Sequence, residues 1–297
     1  MVVLYEGEVL TRCPDTVSST PVSSLPVSHS TKLLYLASGE YAMVYDYDTS
    51  IDIIGSDTSH NNTVLVILRS TYSTLVCNAS HISTSDMDMM ISTMDTNTMV
   101  QMTMVAGYQC QAMVMSILSN IMSSKYLVEL GSLYLGPVES GVGVHVKTGD
   151  IIATVFSDKG PDMDLRTACT LAGGQDAGLL NIYNSTMEEL MIGPFTYSPM
   201  RSVDIWLQMT DEFLLSNLSH NGEDVSILRS ALSLIKNHPY PCVTIFRHNR
   251  GRCYRRDHYS GRWQPSSYHN QHQGISCSVQ YSQARIIQPA QGQIIQY

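Results

Sequence analysis

The sequence predicts an α/β protein of the α+β kind, with largely antiparallel β-sheet layers and flanking helices. Three observations point there. Short runs rich in β-branched residues recur along the chain, separated by Gly, Ser and Asp turn signals. Residues 224–237 carry a clear helical period, with Val225, Leu228, Leu232 and Ile235 on one face. Finally, 43% of the 297 residues are hydrophobic, which supplies a sizeable core. A single domain is expected over 1–265, divisible into subdomains of about 1–140 and 141–265. Residues 266–297 are Gln/Ser/Tyr-rich, with Arg285 as their only Lys, Arg, Asp or Glu, and read as a disordered low-complexity tail.

Taken in order, Val2-Val3-Leu4-Tyr5 reads as a short strand ended by Glu6-Gly7, and the Ser/Thr/Pro/Val-rich stretch 11–30 as a surface excursion. Runs at 33–36, 41–45 and 51–54 are strand-like and are divided by Ser38-Gly39-Glu40 and Asp46-Tyr47-Asp48, which suggests a meander. It feeds the polar loop that begins Gly55-Ser56-Asp57 and runs into Val64-Leu65-Val66-Ile67-Leu68, a core strand. Thr63 stands at that junction. A second strand at 74–77 leads to Asn78-Ala79-Ser80-His81, so two adjacent strands bring Thr63 and His81 to the same border of a sheet.

Residues 99–107 alternate like a strand, and 109–122 have helical spacing at Met113, Ile117 and Ile121, a methionine-rich stripe best read as core filler. Strands resume at 126–135. A hairpin follows at 142–156, with its turn at Lys147-Thr148-Gly149-Asp150. Asp158-Lys159-Gly160-Pro161 opens a helix over 163–171 that closes at Ala172-Gly173-Gly174. Runs at 179–183 and 187–192 pair as strands, and short apolar runs follow at 204–207 and 213–215. After the 224–237 helix, 243–246 reads as a last core strand with 252–255 as its partner.

A formal net charge of −9 argues against nucleic acid as the main partner, because phosphate binding needs a basic face. The late basic cluster (Arg247, Arg250, Arg252, Arg255, Arg256 and Arg262) reads as a solvated strand edge. Seven cysteines without a CxxC pair fit reduced thiols, hence a cytoplasmic or nuclear protein with neither a disulfide framework nor a metal site. No basic-then-apolar leader and no apolar run of membrane length occur, so neither export nor membrane insertion is expected. The Asn-x-Ser/Thr triplets at Asn61, Asn78, Asn184 and Asn217 are then accidental.

One ordered set of motifs runs along the chain: Tyr5-Glu6-Gly7, Leu33-Leu34-Tyr35, Ile54-Gly55-Ser56-Asp57, Leu68-Arg69, Val105-Ala106-Gly107, Ser157-Asp158-Lys159-Gly160-Pro161 and the run Arg166-Thr167-Ala168-Cys169-Thr170-Leu171-Ala172-Gly173-Gly174. Ile192-Gly193-Pro194-Phe195, Val203-Asp204-Ile205-Trp206-Leu207 and Lys236-Asn237-His238-Pro239 continue it as far as Trp263. In this order the features resemble the protein N-terminal asparagine amidohydrolase family. The resemblance implies a deamidase-like, cysteine-hydrolase-like fold, no cofactor, and conversion of N-terminal asparagine to aspartate in peptide or protein substrates. The product would feed the Arg branch of the N-degron ubiquitin–proteasome pathway. A monomer is expected.

The resemblance also implies a Thr-Thr-Cys-His arrangement whose cysteine is the nucleophile, and here the aligned residues are Asn62-Thr63-Val64. It implies a Met-Pro start as well, where this chain reads Met1-Val2. Carboxamide hydrolysis needs a nucleophile, a base that later protonates the departing ammonia, and donors for the oxyanion. Thr63 holds the nucleophile position, but an internal threonine has a far higher pKa than a thiol and lacks an activating α-amine. His81 is the candidate base and His60 its rival. Ser56, Thr58 and backbone N–H groups around residues 61–63 are candidate oxyanion donors. Asp57 and Glu6 are candidate carboxylates for the substrate α-ammonium, with capping of its own loop an equal reading for Asp57. Cys77 reads as a small core residue, residues 170–174 as a helix cap and Trp206 as core. Two functions remain open: an amidohydrolase, or an inactive relative that binds Asn-initiated peptides or acts as a scaffold.

Overall fold

A computed structural model of the chain describes residues 3–5, 8–10, 31–57, 63–94, 99–135, 141–173, 178–197, 199–218, 224–257 and 260–266. The expected surface excursion at 11–30 lies outside them, as does the tail apart from Ser266. In chain order the first elements are β1 (Val3–Tyr5), β2 (Glu8–Leu10), β3 (Leu33–Tyr35), β4 (Glu40–Tyr45), β5 (Ile53–Ser56), β6 (Val64–Arg69) and β7 (Ser73–Ala79). Then come α1 (Thr84–Thr93), β8 (Val100–Ala106), α2 (Gln111–Met122), β9 (Val128–Leu135), β10 (Gly141–His145), β11 (Ile151–Thr154) and α3 (Met163–Gly173). The chain continues with β12 (Leu180–Asn184), β13 (Glu189–Ile192), α4 (Val203–Gln208), α5 (Asp211–Leu218), α6 (Val225–Asn237), α7 (Pro241–Thr244), β14 (Arg252–Arg256) and β15 (Trp263–Pro265).

These elements form an α+β protein. A nine-stranded sheet runs β15-β14-β13-β12-β4-β7-β6-β8-β9, and a four-stranded sheet runs β11-β10-β5-β3. Most neighbours are antiparallel; β4 with β12, β8 with β9 and β3 with β5 are parallel. β1 and β2 pair with each other.

The strand period of two explains how one large sheet serves two cores. Leu65 and Ile67 of β6 join Val76 in a cluster with Leu34, Ile54, Val142 and Val144 of the small sheet, closed by Leu165 and Ala168 of α3 and Leu228 and Leu232 of α6. Val64, Val66 and Leu68 point the other way, with Cys77, onto Met87, Met90 and Ile91 of α1 and Val114 and Ile117 of α2. Met87 and Met90 of α1 and Met102 and Met104 of β8 fill core space, whereas in the 109–122 stripe Met113 is partly buried and Met115 and Met122 are exposed. β6 lies between β7 and β8 with both faces covered, which is why its sequence is continuously apolar rather than alternating.

Three findings differ from the sequence reading or add to it. Runs 33–36, 41–45 and 51–54 are not a meander. β3 and β5 lie side by side in the small sheet, and β4 crosses to the large one to pair antiparallel with β7 and parallel with β12. The turn before β4 is a crossing point because a buried ion pair, described below, holds it. Residues 243–246 are not a strand either. Pro241 sits at the first turn of α7, where its fixed φ suits a helix, and Phe246 drops into the core with its ring centroid 4.8 Å from that of Phe195. β14 pairs with β13 and β15 instead. The helix α1 was not read from sequence, although Ser83 and Asp86 form a capping box at its start.

The two sheets are tied by buried polar side chains. Asn78 of β7 donates through Nδ2 to the Leu36 carbonyl at 3.1 Å and to Ser56 Oγ at 2.7 Å, and Thr74 Oγ1 donates to the Val146 carbonyl at 2.8 Å. Within the small sheet Gly55 faces Gly143 across the β5–β10 pair, so close that a Cβ on residue 55 would lie 2.0 Å from the Val142 carbonyl oxygen. Backbone on both sides leaves no room to relax. Gly55→Ala is therefore expected to destabilise the protein by roughly 1–3 kcal/mol, the usual range for overpacking, read as a lowered thermal midpoint.

Candidate functional site

One end of the large sheet gathers the beginnings of β4, β6 and β12 and the finish of β7. Glu40 pairs with Asn78, Val64 with Ala79, and Leu180 with Glu40. Thr63, just before β6, and Ser80-His81, just after β7, therefore emerge together from adjacent antiparallel strands. This is the juxtaposition the sequence anticipated, at the ends of interior strands rather than along an outer edge. A cavity of about 340 Å³ opens there; its wall includes Thr63, His81, Glu40, Arg166, Cys169 and Thr170. The last three come from one face of α3, spaced so that a helix sets them side by side.

Thr63 is 3% exposed, and its Oγ1 has no hydrogen-bond partner among the described residues, although its carbonyl accepts from Cys110 Sγ at 3.6 Å. His81 is exposed at the rim. The two thus share the cavity without a hydrogen bond between them. A threonine hydroxyl can donate one hydrogen bond and accept others, so Thr63 offers an uncommitted polar contact in an otherwise mostly apolar wall.

Opposite, Glu40 and Arg166 form a buried ion pair. Arg166 Nε donates to Glu40 Oε1 at 2.8 Å, and its Nη2 donates to Glu40 Oε2. The Ala37 N–H also donates to Oε2, at 2.8 Å. The remaining N–H groups of Arg166 go to the carbonyls of Lys159 and Tyr35, at 2.7 and 3.0 Å, and to Met163 Sδ at 3.2 Å. Thr170 Oγ1 lies 3.3 Å from the Arg166 carbonyl and 3.4 Å from the Ser38 carbonyl, and its single proton is shared between α3 and the turn before β4.

The other anticipated residues fall elsewhere. Ser56 is buried behind the cavity, accepting from Asn78, and does not line its wall. Asp57 pairs with Lys159 at 2.8 Å and is also absent from the wall. Thr58, Glu6 and His60 lie outside the described residues. Cys77 is buried on the opposite face of the sheet, among the methionines, and burial, with Asp86 second, pushes its thiol far up. Trp206 packs partly buried against the other core.

Sequence reasoning assigned no role to Glu40, Arg166 or Cys169. A signal existed in Arg166, a charged residue on the apolar face of a helix that also presents Leu165, Ala168 and Cys169. Such a charge requires a buried partner. Cys169 is the one thiol in the cavity wall among the described residues, and burial, followed by the charge of Glu40, pushes it up to about 12. It stays protonated at neutral pH and is no ready nucleophile.

Among the described residues no group of three or more His, Cys, Asp or Glu could hold a metal ion, and no helix is long and apolar enough to cross a membrane. Cys77, Cys110, Cys169, Cys242 and Cys253 form no disulfide among the described residues.

Residues 23–265 match the family model described as protein N-terminal asparagine amidohydrolase. Proteins of that name are similar in sequence. The human one is 38% identical over 136 residues, covering 44% of this chain and 43% of that protein. The pig (Sus scrofa) protein is 36% identical over 136 residues, 44% of this chain and 42% of that protein. The mouse protein is 29% identical over 270 residues, covering 79% and 84%. The aligned stretch thus spans less than half the length of the human and pig relatives and most of the mouse one. With the family model matched across both sheets and the residues that line the cavity, the chain belongs to the protein N-terminal asparagine amidohydrolase family.

Proposed function

We propose that this chain hydrolyses the side-chain carboxamide of N-terminal asparagine in peptides and proteins, giving N-terminal aspartate. One observation carries the reading: Thr63, at the position where the family resemblance implies the nucleophile, and His81, the candidate base, line one small cavity. About 340 Å³ is at the low end for a small-molecule site and suits one terminal residue rather than a long segment. The family membership and the relatives' names support the choice of substrate.

In this reading the carboxamide lies between Thr63 and His81. His81 takes the Thr63 hydroxyl proton as Oγ1 attacks the carbonyl carbon, then gives it to the departing nitrogen, and water hydrolyses the resulting ester to free the acid. His81 must swing from the rim to do so, since Thr63 Oγ1 has no partner without substrate. Catalytic hydrogen bonds commonly tighten only in the complex. The aspartate product would enter the Arg branch of the N-degron pathway, and the cytoplasm is the compartment proposed for it.

The lone hydroxyl of Thr63 favours a second reading. A buried threonine without a base in contact is a poor nucleophile, so the chain would hold N-terminal asparagine without converting it.

Two outcomes separate these readings. With an Asn-initiated peptide, mass spectrometry is expected to show the gain of about 1 Da that accompanies amide-to-acid conversion. His81→Ala is expected to lower that rate by roughly 10²–10⁴-fold, the range for removal of a general base. An unchanged mass with measurable peptide binding supports the second reading. Thr63→Cys is expected to raise turnover in either case, because a thiol beside His81 is more readily ionised than a hydroxyl; an inert Thr63→Cys variant would place the chemistry elsewhere.

A further inference from the structure

A hydrogen-bond count of the Glu40–Arg166 pair shows what it offers the cavity. Arg166 has five N–H donors and all five are used: Nε and one Nη2 hydrogen on Glu40, and the others on Tyr35, Lys159 and Met163. It has nothing left to donate to a ligand. A carboxylate accepts about four hydrogen bonds, and Glu40 receives three: two on Oε2, from Ala37 and Arg166, and one on Oε1, from Arg166. Among the described residues one acceptor position on Oε1 is unused. Of these two cavity-wall residues, Glu40 thus keeps acceptor capacity while Arg166 keeps no donor, a balance that suits a cation and not an anion.

Three further observations agree. Glu40 is the only carboxylate in the cavity wall among the described residues; of the two carboxylates expected from sequence, Asp57 is held by Lys159 outside the wall and Glu6 lies outside the described residues. The charge of Glu40 reaches across the wall: it contributes to keeping the Cys169 thiol protonated. A field that disfavours a thiolate favours an ammonium. Lastly, Glu40 shares strand parity with Ala42, and Thr63 with Leu65, both members of the same core cluster, so the two side chains leave one face of the large sheet at the same end. A residue placed between them can present its α-nitrogen to one and its carboxamide to the other.

We infer that Glu40 accepts a hydrogen bond from the α-ammonium group of the bound residue and so restricts the site to free N-termini, with Arg166 as the positioning residue that fixes the carboxylate. The inference rests on the proposed recognition of N-terminal asparagine. It identifies Glu40, rather than Asp57, as the specificity-determining carboxylate.

The test is fluorescence anisotropy with three C-terminally labelled peptides, identical except that the first residue carries a free α-amine, an N-acetyl group or an α-hydroxyl in place of the amine. Wild-type protein is expected to bind the free amine roughly 10- to 100-fold more tightly than the other two, the worth of one charge-assisted hydrogen bond. Glu40→Gln is expected to abolish that preference. Because it also leaves the buried Arg166 charge unmatched, the double variant Glu40→Gln/Arg166→Met, which removes both charges, is measured beside it; buried pairs replaced together are commonly tolerated. Loss of the preference in either folded variant supports the role of Glu40. Equal binding of the three peptides by wild-type protein, or a preference that survives in a folded variant, overturns it. Failure of wild-type protein to bind any of the three overturns the proposed function itself, and this inference with it.

Discussion

The buried ion pair between Glu40 and Arg166 is the interaction on which the site depends. It joins the start of β4 to the first turn of α3 across 126 positions of sequence, with side chains 5% and 1% exposed. Removing one member of such a pair typically costs 3–5 kcal/mol, since the other is left charged and unmatched in an apolar surround. The carboxylate also ties the Ala37 N–H, and the guanidinium ties the carbonyls of Tyr35 and Lys159, so one contact fixes the end of β3, the entry to β4 and the loop before α3. That is why the chain leaves the small sheet after β3: the first residue of β4 is held against α3.

With β4 fixed, the rest of the site follows from register. β7 pairs with β4 on one side and β6 on the other, which sets Thr63 and His81 at the same end as Glu40. Asn78, opposite Glu40 on β7, spends its side-chain amide on Leu36 and Ser56 and so keeps the small sheet under the cavity. The site is a product of the two-sheet packing rather than of any one loop.

Much of the fold was legible because local period and turn chemistry agreed with the final packing. α6 reads from its apolar face and begins with Asp224 capping its first turn, accepting from Ser226 and Ile227 N–H groups at 2.8 and 3.0 Å. The β10–β11 hairpin and the β6 strand read from alternation and composition. What failed had non-local causes. The apolar run 243–246 has strand composition, and only Pro241 and the seat of Phe246 among Phe195 and its neighbours make it helical. The same limit governs the site. Thr63 and His81 could be brought together on paper because a single turn joins their strands, whereas Glu40 and Arg166 meet through tertiary contact alone. Asp57 looked the better carboxylate in sequence because it adjoins the Gly55-Ser56 loop; its ion pair with Lys159 is visible only in three dimensions.

The central claim is that one N-terminal residue sits between Glu40 and Thr63 at the end of the large sheet. A co-crystal structure with a tripeptide that begins with asparagine tests it most directly. The account predicts density for the first residue in the cavity, with its α-nitrogen within about 3 Å of Glu40 Oε1 and its side chain directed at Thr63. Density at the Asp57–Lys159 pair instead, or an empty cavity beside an occupied site elsewhere on the protein, would contradict it.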